Sequence, residues 1–138
     1  MGAWAEGPFD NDDAADFVGD LAEVTDADSI ASALDEALDL PPDGEYVESP
    51  DMSTAIAAAA IVAIGCGADP GQNSYAPDAS WLAVARPMST ADRRAAAAAV
   101  FRRAFEPTDN EWFDLWDEAD ALDDVRRAMH PFVIAVSG

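Results

Sequence analysis

Ala14, Phe17, Val18 and Leu21 recur at the i, i+3, i+4, i+7 spacing of one helix face, so they predict a first helix ending near Val24. Asp13, Asp16, Asp20 and Glu23 line another, solvated face of it. Ile30, Leu34, Ala37 and Leu38 predict a second helix, opened by the capping segment 25–28 and stopped by Pro41-Pro42. A third begins near Asp51 or Ser53 and reaches Ile64 with no charge on any face, the pattern of a central, fully buried helix. Its alanines allow close helix approach, and Gly65 or Gly67 supplies a left-handed cap. With fewer than ~18 consecutive apolar residues it is too short to span a bilayer.

The second half reads in the same way. Segment 78–80 caps a short helix over 81–86 that Pro87 ends, and Ser89-Thr90-Ala91-Asp92 resembles a capping box, with Asp in place of Glu or Gln, for a helix running through Ala95–Ala99, Val100, Phe101 and Phe105. Thr108-x-x-Glu111 is a second capping box, opening a helix with Trp112, Leu115, Trp116 and Ala119 on its core stripe. After a break near Asp120, Leu122, Val125 and Met129 prolong that stripe. The stretches 43–50 and 69–77 read as loops, and the second, with Gln72, Asn73, Ser74 and Tyr75 exposed, is a candidate contact surface. The tail 130–138 reads as irregular; its β-prone run 132–136 is expected to pack on the core or serve a dimer contact. The expected fold is all-α: one domain over 1–138, a compact bundle of five to seven helices around the alanine-rich third.

The opening turn carries the densest signals. Gly7-Pro8 is a turn, Asp10 or Asn11 is an N-cap, and Phe9 stands where it can fold back on the helix as a hydrophobic staple. Asp12 and Asp13 sit at the positive end of the helix dipole, worth roughly 0.3–1 kcal/mol each. The sharper alternative is a metal site, since residues 10–13 all carry hard oxygen donors. A calcium loop needs donors on alternate residues, then a glycine and a distal glutamate, and Ala14 and Ala15 break that pattern. Asp12 and Asp16, one turn apart, are a candidate catalytic pair only if a pocket buries them.

Charge narrows the partners. Twenty-eight acidic residues face seven basic ones in 138, a formal net charge of -21, and all seven basic residues are arginines. Such a field repels nucleic acid and anionic membranes and attracts a basic protein. The plainer reading of the charge is solubility, and the balance suits either a high-salt cytoplasm, where salt screens self-repulsion, or an alanine- and arginine-rich genome. Arg93, Arg94, Arg102 and Arg103 invert the charge on one helix, either to pair with the acidic helices or to contact an anion or partner. Half the residues are apolar, enough at this length to hold a single core.

Other chemistry is sparse. Cys66 alone forms no internal disulfide, fits a reducing cytoplasm, and lacks the basic neighbour of a reactive thiol. Gly65-Cys66-Gly67 and Pro70-Gly71 lack the lysine of a phosphate loop. His130 has no companion ligand for zinc. There is no basic-then-apolar leader, and Met1-Gly2 is followed by Glu6 where myristoylation wants Ser or Thr. The expectation is a cytoplasmic protein without metal or cofactor.

The segment carrying Gly2, Trp4, Gly7, Phe9, Asp10, Asn11, Asp12, Ala14 and Asp16 resembles the opening motif of a mostly bacterial family, domain of unknown function 4259, with Ala5 in place of its second glycine. Residues 110–118 resemble that family's Ser-Glu-Leu-x-x-Leu-Trp-x-Glu, and the alanine-rich helix over 57–63 is a third likeness. The family commonly shows glutamate where this chain has Ala60, which argues against an essential carboxylate there. The resemblance implies a compact helical domain and no particular activity; Trp4, Gly7, Phe9 and Asp10 stand in its structural motif. If the two motifs meet, Asn11, Asp12, Glu111, Trp116 and Glu118 line a cleft. Two functions follow: a non-enzymatic acidic interaction module, inhibitor or immunity-like, that blocks a basic partner; or a small metal-dependent or hydrolytic enzyme using those carboxylates.

Overall fold

Asn11, Asp26, Thr90 and Asn110 each accept, on a side-chain oxygen, the amide hydrogen three residues on, at 2.8, 3.0, 3.3 and 3.1 Å. These caps fix where four helices begin, because each satisfies an amide that has no partner inside the helix. In a computed structural model that describes residues 6–42, 44–70 and 76–137, the helices are α1 (Asp12–Ala22), α2 (Ala27–Leu38), α3 (Ser49–Gly65), α4 (Ala79–Ala85), α5 (Ala91–Ala104), α6 (Glu111–Glu118) and α7 (Leu122–Ser137), with a 3-10 turn at Arg86–Met88 after α4. The fold is all-α, and among the described residues there is no strand, only a bridge between Val47 and Asn110. No helix among them is long and apolar enough to cross a membrane. Trp4 and the candidate contact residues Gln72, Asn73, Ser74 and Tyr75 lie outside the described residues.

Every other helix packs against α3. Met52, Ser53 and all residues from Ala55 to Ile64 are buried, and Ala57 to Ala60 and Ala63 are fully enclosed. Alanine lets this many neighbours approach without leaving voids. At its C-terminal end, Ser89 Oγ donates to the Val62 carbonyl at 2.9 Å. A Cβ on Gly65 would come within 2.8 Å of Ser89 Cβ, so Gly65 serves close approach. The left-handed cap is Gly67, at φ 113°. Bonds from Gly67 to Ile64 and from Ala68 to Ala63 then close the helix end.

Three expected boundaries shift. Helix α3 starts at Ser49 rather than Asp51 or Ser53, with Pro50 tolerated in the first turn. The two capping boxes do not form as spaced: Thr90 caps α5 because Ser89 is committed to α3, and Asn110, not Thr108, caps α6. The tail is not irregular. Residues 130–137 continue α7, since Val125, Met129, Phe132 and Val136 form one buried helical stripe whose burial outweighs β propensity. Pro131 sits on the exposed side, where water can satisfy the carbonyl its missing N–H leaves open.

The break at Asp120 is a left-handed residue at φ 56°. Asp120 donates to Asp117 and Ala121 to Trp116, the two bonds of a helix end that favours glycine, and a carboxylate there opposes the dipole. Asp120→Gly is expected to raise unfolding free energy by about 1 kcal/mol, read by urea denaturation.

Arg93 ties α5 to α2 through two bonds to Asp35, 2.9 and 3.0 Å. The hydrogen bonds from Arg93 hold the Asp35 carboxyl below its ordinary range. A depressed folded pKa contributes stability that is present above the unfolded value and lost as pH falls through the folded one. Asp35→Asn is therefore expected to flatten stability against pH between about 5 and 3, by less than about 1 kcal/mol because Asp35 is exposed. Arg103 behaves differently: it is buried, pairs with Glu106 at 3.6 Å, and spends its other bonds on backbone carbonyls.

Candidate functional site

Asn110 is fully buried and joins three segments. Its Nδ2 donates to the carbonyls of Arg103, Ala104 and Glu106 at 3.0, 2.8 and 3.1 Å, closing α5, while its Oδ1 opens α6. Arg103 donates to Thr108, Asp109 and Glu45 carbonyls around the same turn, in which Asp109 is left-handed at φ 53°. Val47 donates to Asp109 at 2.9 Å and accepts from Glu111 at 3.1 Å. In the sequence the junction's only signal is an asparagine inside the expected capping box Thr108-x-x-Glu111.

The junction delivers the start of α6 to the starts of α1 and α3. Between them lies a cleft of about 340 Å³. Asn11, Asp12 and Asp13 line it from α1, Ser49, Pro50 and Ser53 from α3, and Glu111, Trp112, Leu115 and Trp116 from α6. Asn11, Asp12, Glu111 and Trp116 are thus brought to one cavity. Glu118 is not: it is exposed at the far end of α6, about 10 Å along the axis from Glu111 by helical rise.

Three helix N-termini converge on this cleft, and the chain's own side chains meet them. Asn11 Oδ1 caps α1, and Glu111 Oε1 accepts the Ser49 amide at 2.7 Å, giving α3 the cap that Glu48 does not provide. The Glu111 carboxylate is therefore committed to the positive end of α3. Close by, desolvation first and then the charges of Glu111 and Asp114 push the Tyr46 hydroxyl above its ordinary pKa. Among the described residues no group of three or more His, Cys, Asp or Glu is placed to hold a metal ion. Trp112 stacks edge-on with Phe105 and Trp116, at 5.6 and 6.4 Å between ring centroids, as part of the aromatic packing.

The opening turn lies beside α7. Gly7 donates to Asp10 Oδ2 at 3.0 Å and Asp10 donates to the Gly7 carbonyl at 3.2 Å, so Asp10 closes the turn while Asn11 caps. Phe9 is fully buried with its ring perpendicular to Phe132, centroids 6.5 Å apart. It anchors the first turn to the last helix.

A larger groove, of about 780 Å³, runs between α1, α2 and the first turns of α3. Phe17, Val24, Ala33, Ala37 and Leu40 form its half-buried apolar floor. Asp20, Glu36, Asp39, Glu45 and Asp51 edge it, all exposed. From the sequence, Asp20 belongs to a wet helix face and Asp51 to a helix start, and none of the five is marked as part of a site. A signal was present: Asp20, Glu36 and Asp39 sit at helix C-terminal ends, where the dipole disfavours them and neither helix has a basic residue in its last turn.

A family model described as Domain of unknown function (DUF4259) matches residues 2–128. No curated protein and no solved structure matches the chain.

Proposed function

The chain belongs to the DUF4259 family, and from its surface we propose that it is a non-enzymatic, single-domain interaction module of the cytoplasm that binds a basic protein, in the manner of an inhibitor or immunity protein. The observation that carries this reading is the exposed acidic rim of the large groove. Ion pairs join described residues at Arg93–Asp35, Arg103–Glu106 and Arg127–Asp124, and none involves a rim carboxylate. Charge left unneutralised in the free protein is charge available for steering and complementarity with a cationic partner. The same field argues against nucleic acid. The competing reading, a hydrolytic or metal-dependent enzyme working through the smaller cleft, is weakened by the commitment of Asn11 and Glu111 to helix caps.

The test is affinity capture from the native host's lysate at two salt concentrations, with identification and stoichiometry of what is retained. The expected result is one basic protein held near one-to-one, weaker at high salt and lost on charge reversal of the rim residues Asp20, Glu36 and Asp39. Retention of nothing specific at either salt would overturn the proposal.

A further inference from the structure

We infer that the groove between α1, α2 and the N-terminal turns of α3 is the docking site for a short segment of a partner protein in which apolar side chains are flanked by lysine or arginine. The inference rests on the interaction-module reading and names its surface and the kind of segment it takes. An apolar floor alone would fit many occupants; the rim selects among them. Among the described residues, five carboxylates edge the groove and no basic side chain lines it. The C-terminal ends of α1 and α2, at Ala22 and Leu38, add their negative dipole ends to the same edge. Anionic ligands are repelled, and so is a second copy of a chain carrying a net charge of -21. A purely polar cation would leave Phe17, Val24 and Leu40 facing water. A segment with both features satisfies floor and rim together, as apolar anchors in a groove with charged flanks do in peptide recognition. The groove's volume falls in the range of ligand-sized concavities, roughly 300–1,000 Å³.

The experiment follows the backbone amide NMR signals of the full chain during titration with a 12-residue peptide of leucines and lysines at helical spacing. A scrambled isomer of the same composition and spermine serve as controls. The expected result is saturable shifts concentrated on α1, α2 and the start of α3, with the patterned peptide binding about tenfold tighter than the scrambled one. Ala37→Trp, which fills the floor, and the exposed pair Glu36→Lys and Asp39→Lys should each weaken binding about tenfold, whereas Asp114→Lys with Asp117→Lys on α6 should change it less than about threefold. Shifts spread over the acidic surface, equal binding of both peptides, or spermine binding the groove while the peptides do not would overturn the groove assignment. The broader reading fails separately: a partner captured from lysate that binds Ala37→Trp and the charge-reversed pair as tightly as the parent removes the groove and keeps the module. Absence of any captured partner removes the module itself.

Discussion

Asn110→Asp is expected to lower unfolding free energy by about 3 kcal/mol or more, although the two side chains have nearly the same shape. Aspartate can still accept the Phe113 amide, so the cap of α6 survives. What is lost is the amide nitrogen that donates to three carbonyls at the end of α5. A carboxylate oxygen would face those carbonyls in a position of zero exposure, and an uncompensated buried charge is costly. Asn110→Ala gives up the cap as well, yet carries no charge into the site. Urea denaturation should therefore find the aspartate variant at least as unstable as the alanine variant. The reverse order would mean that capping α6, rather than closing α5, is the residue's main task.

Phe9→Ala is expected to cost about 3–5 kcal/mol, the range for truncating a buried aromatic. The ring is fully enclosed and meets Phe132 edge-on, a pairing worth about 0.5–1.5 kcal/mol beyond burial. Because Phe9 sits two residues before the α1 cap and its partner lies on α7, the loss should loosen both ends of the chain. Amide hydrogen exchange should show the first turns of α1 and the second half of α7 opening together. Thermal or urea unfolding gives the magnitude; a loss below about 1 kcal/mol would show that the ring is not the anchor its burial indicates.

Local patterning made most of the fold legible. The charge-free run from Thr54 to Ile64 identified the central helix because a helix apolar on every face has nowhere to be but inside. What stayed hidden was whatever depends on contacts between distant segments. Ser89 heads a segment that only resembles a capping box, and because Gly65 lies against it in the fold, Thr90 takes the cap. Glu111 looked like half of a capping box with Thr108; it caps α3 instead, sixty-two residues away. The tail looked β-prone because valine and isoleucine favour strands, whereas its buried helical stripe decides the matter.

The candidate cleft was legible to the extent that two motifs rich in acid and amide side chains pointed to one place, and Asn11, Asp12, Glu111 and Trp116 do line one cavity. Glu118 was drawn in by its motif spacing, which says nothing about which end of a helix faces a neighbour. Of the large groove, only the rim left a trace in the sequence, as carboxylates at helix C-terminal ends; the floor left none. Its floor comes from α1 and α2, whose apolar residues split between the core and the groove, and sequence periodicity gives a stripe without saying how much of it a neighbour covers.

If the groove carboxylates are kept for a partner and not for the fold, the triple variant Asp20→Asn, Glu36→Gln, Asp39→Asn should show it in its unfolding free energy. All three lie at helix C-terminal ends, where negative charge is disfavoured by roughly 0.3–1 kcal/mol per residue, in a chain whose net charge already opposes compactness. The variant is expected to be more stable than the parent by about 1–2 kcal/mol in low-salt urea denaturation, with the gain shrinking as salt screens the parent's repulsion. Equal or lower stability would contradict it and return those carboxylates to the fold.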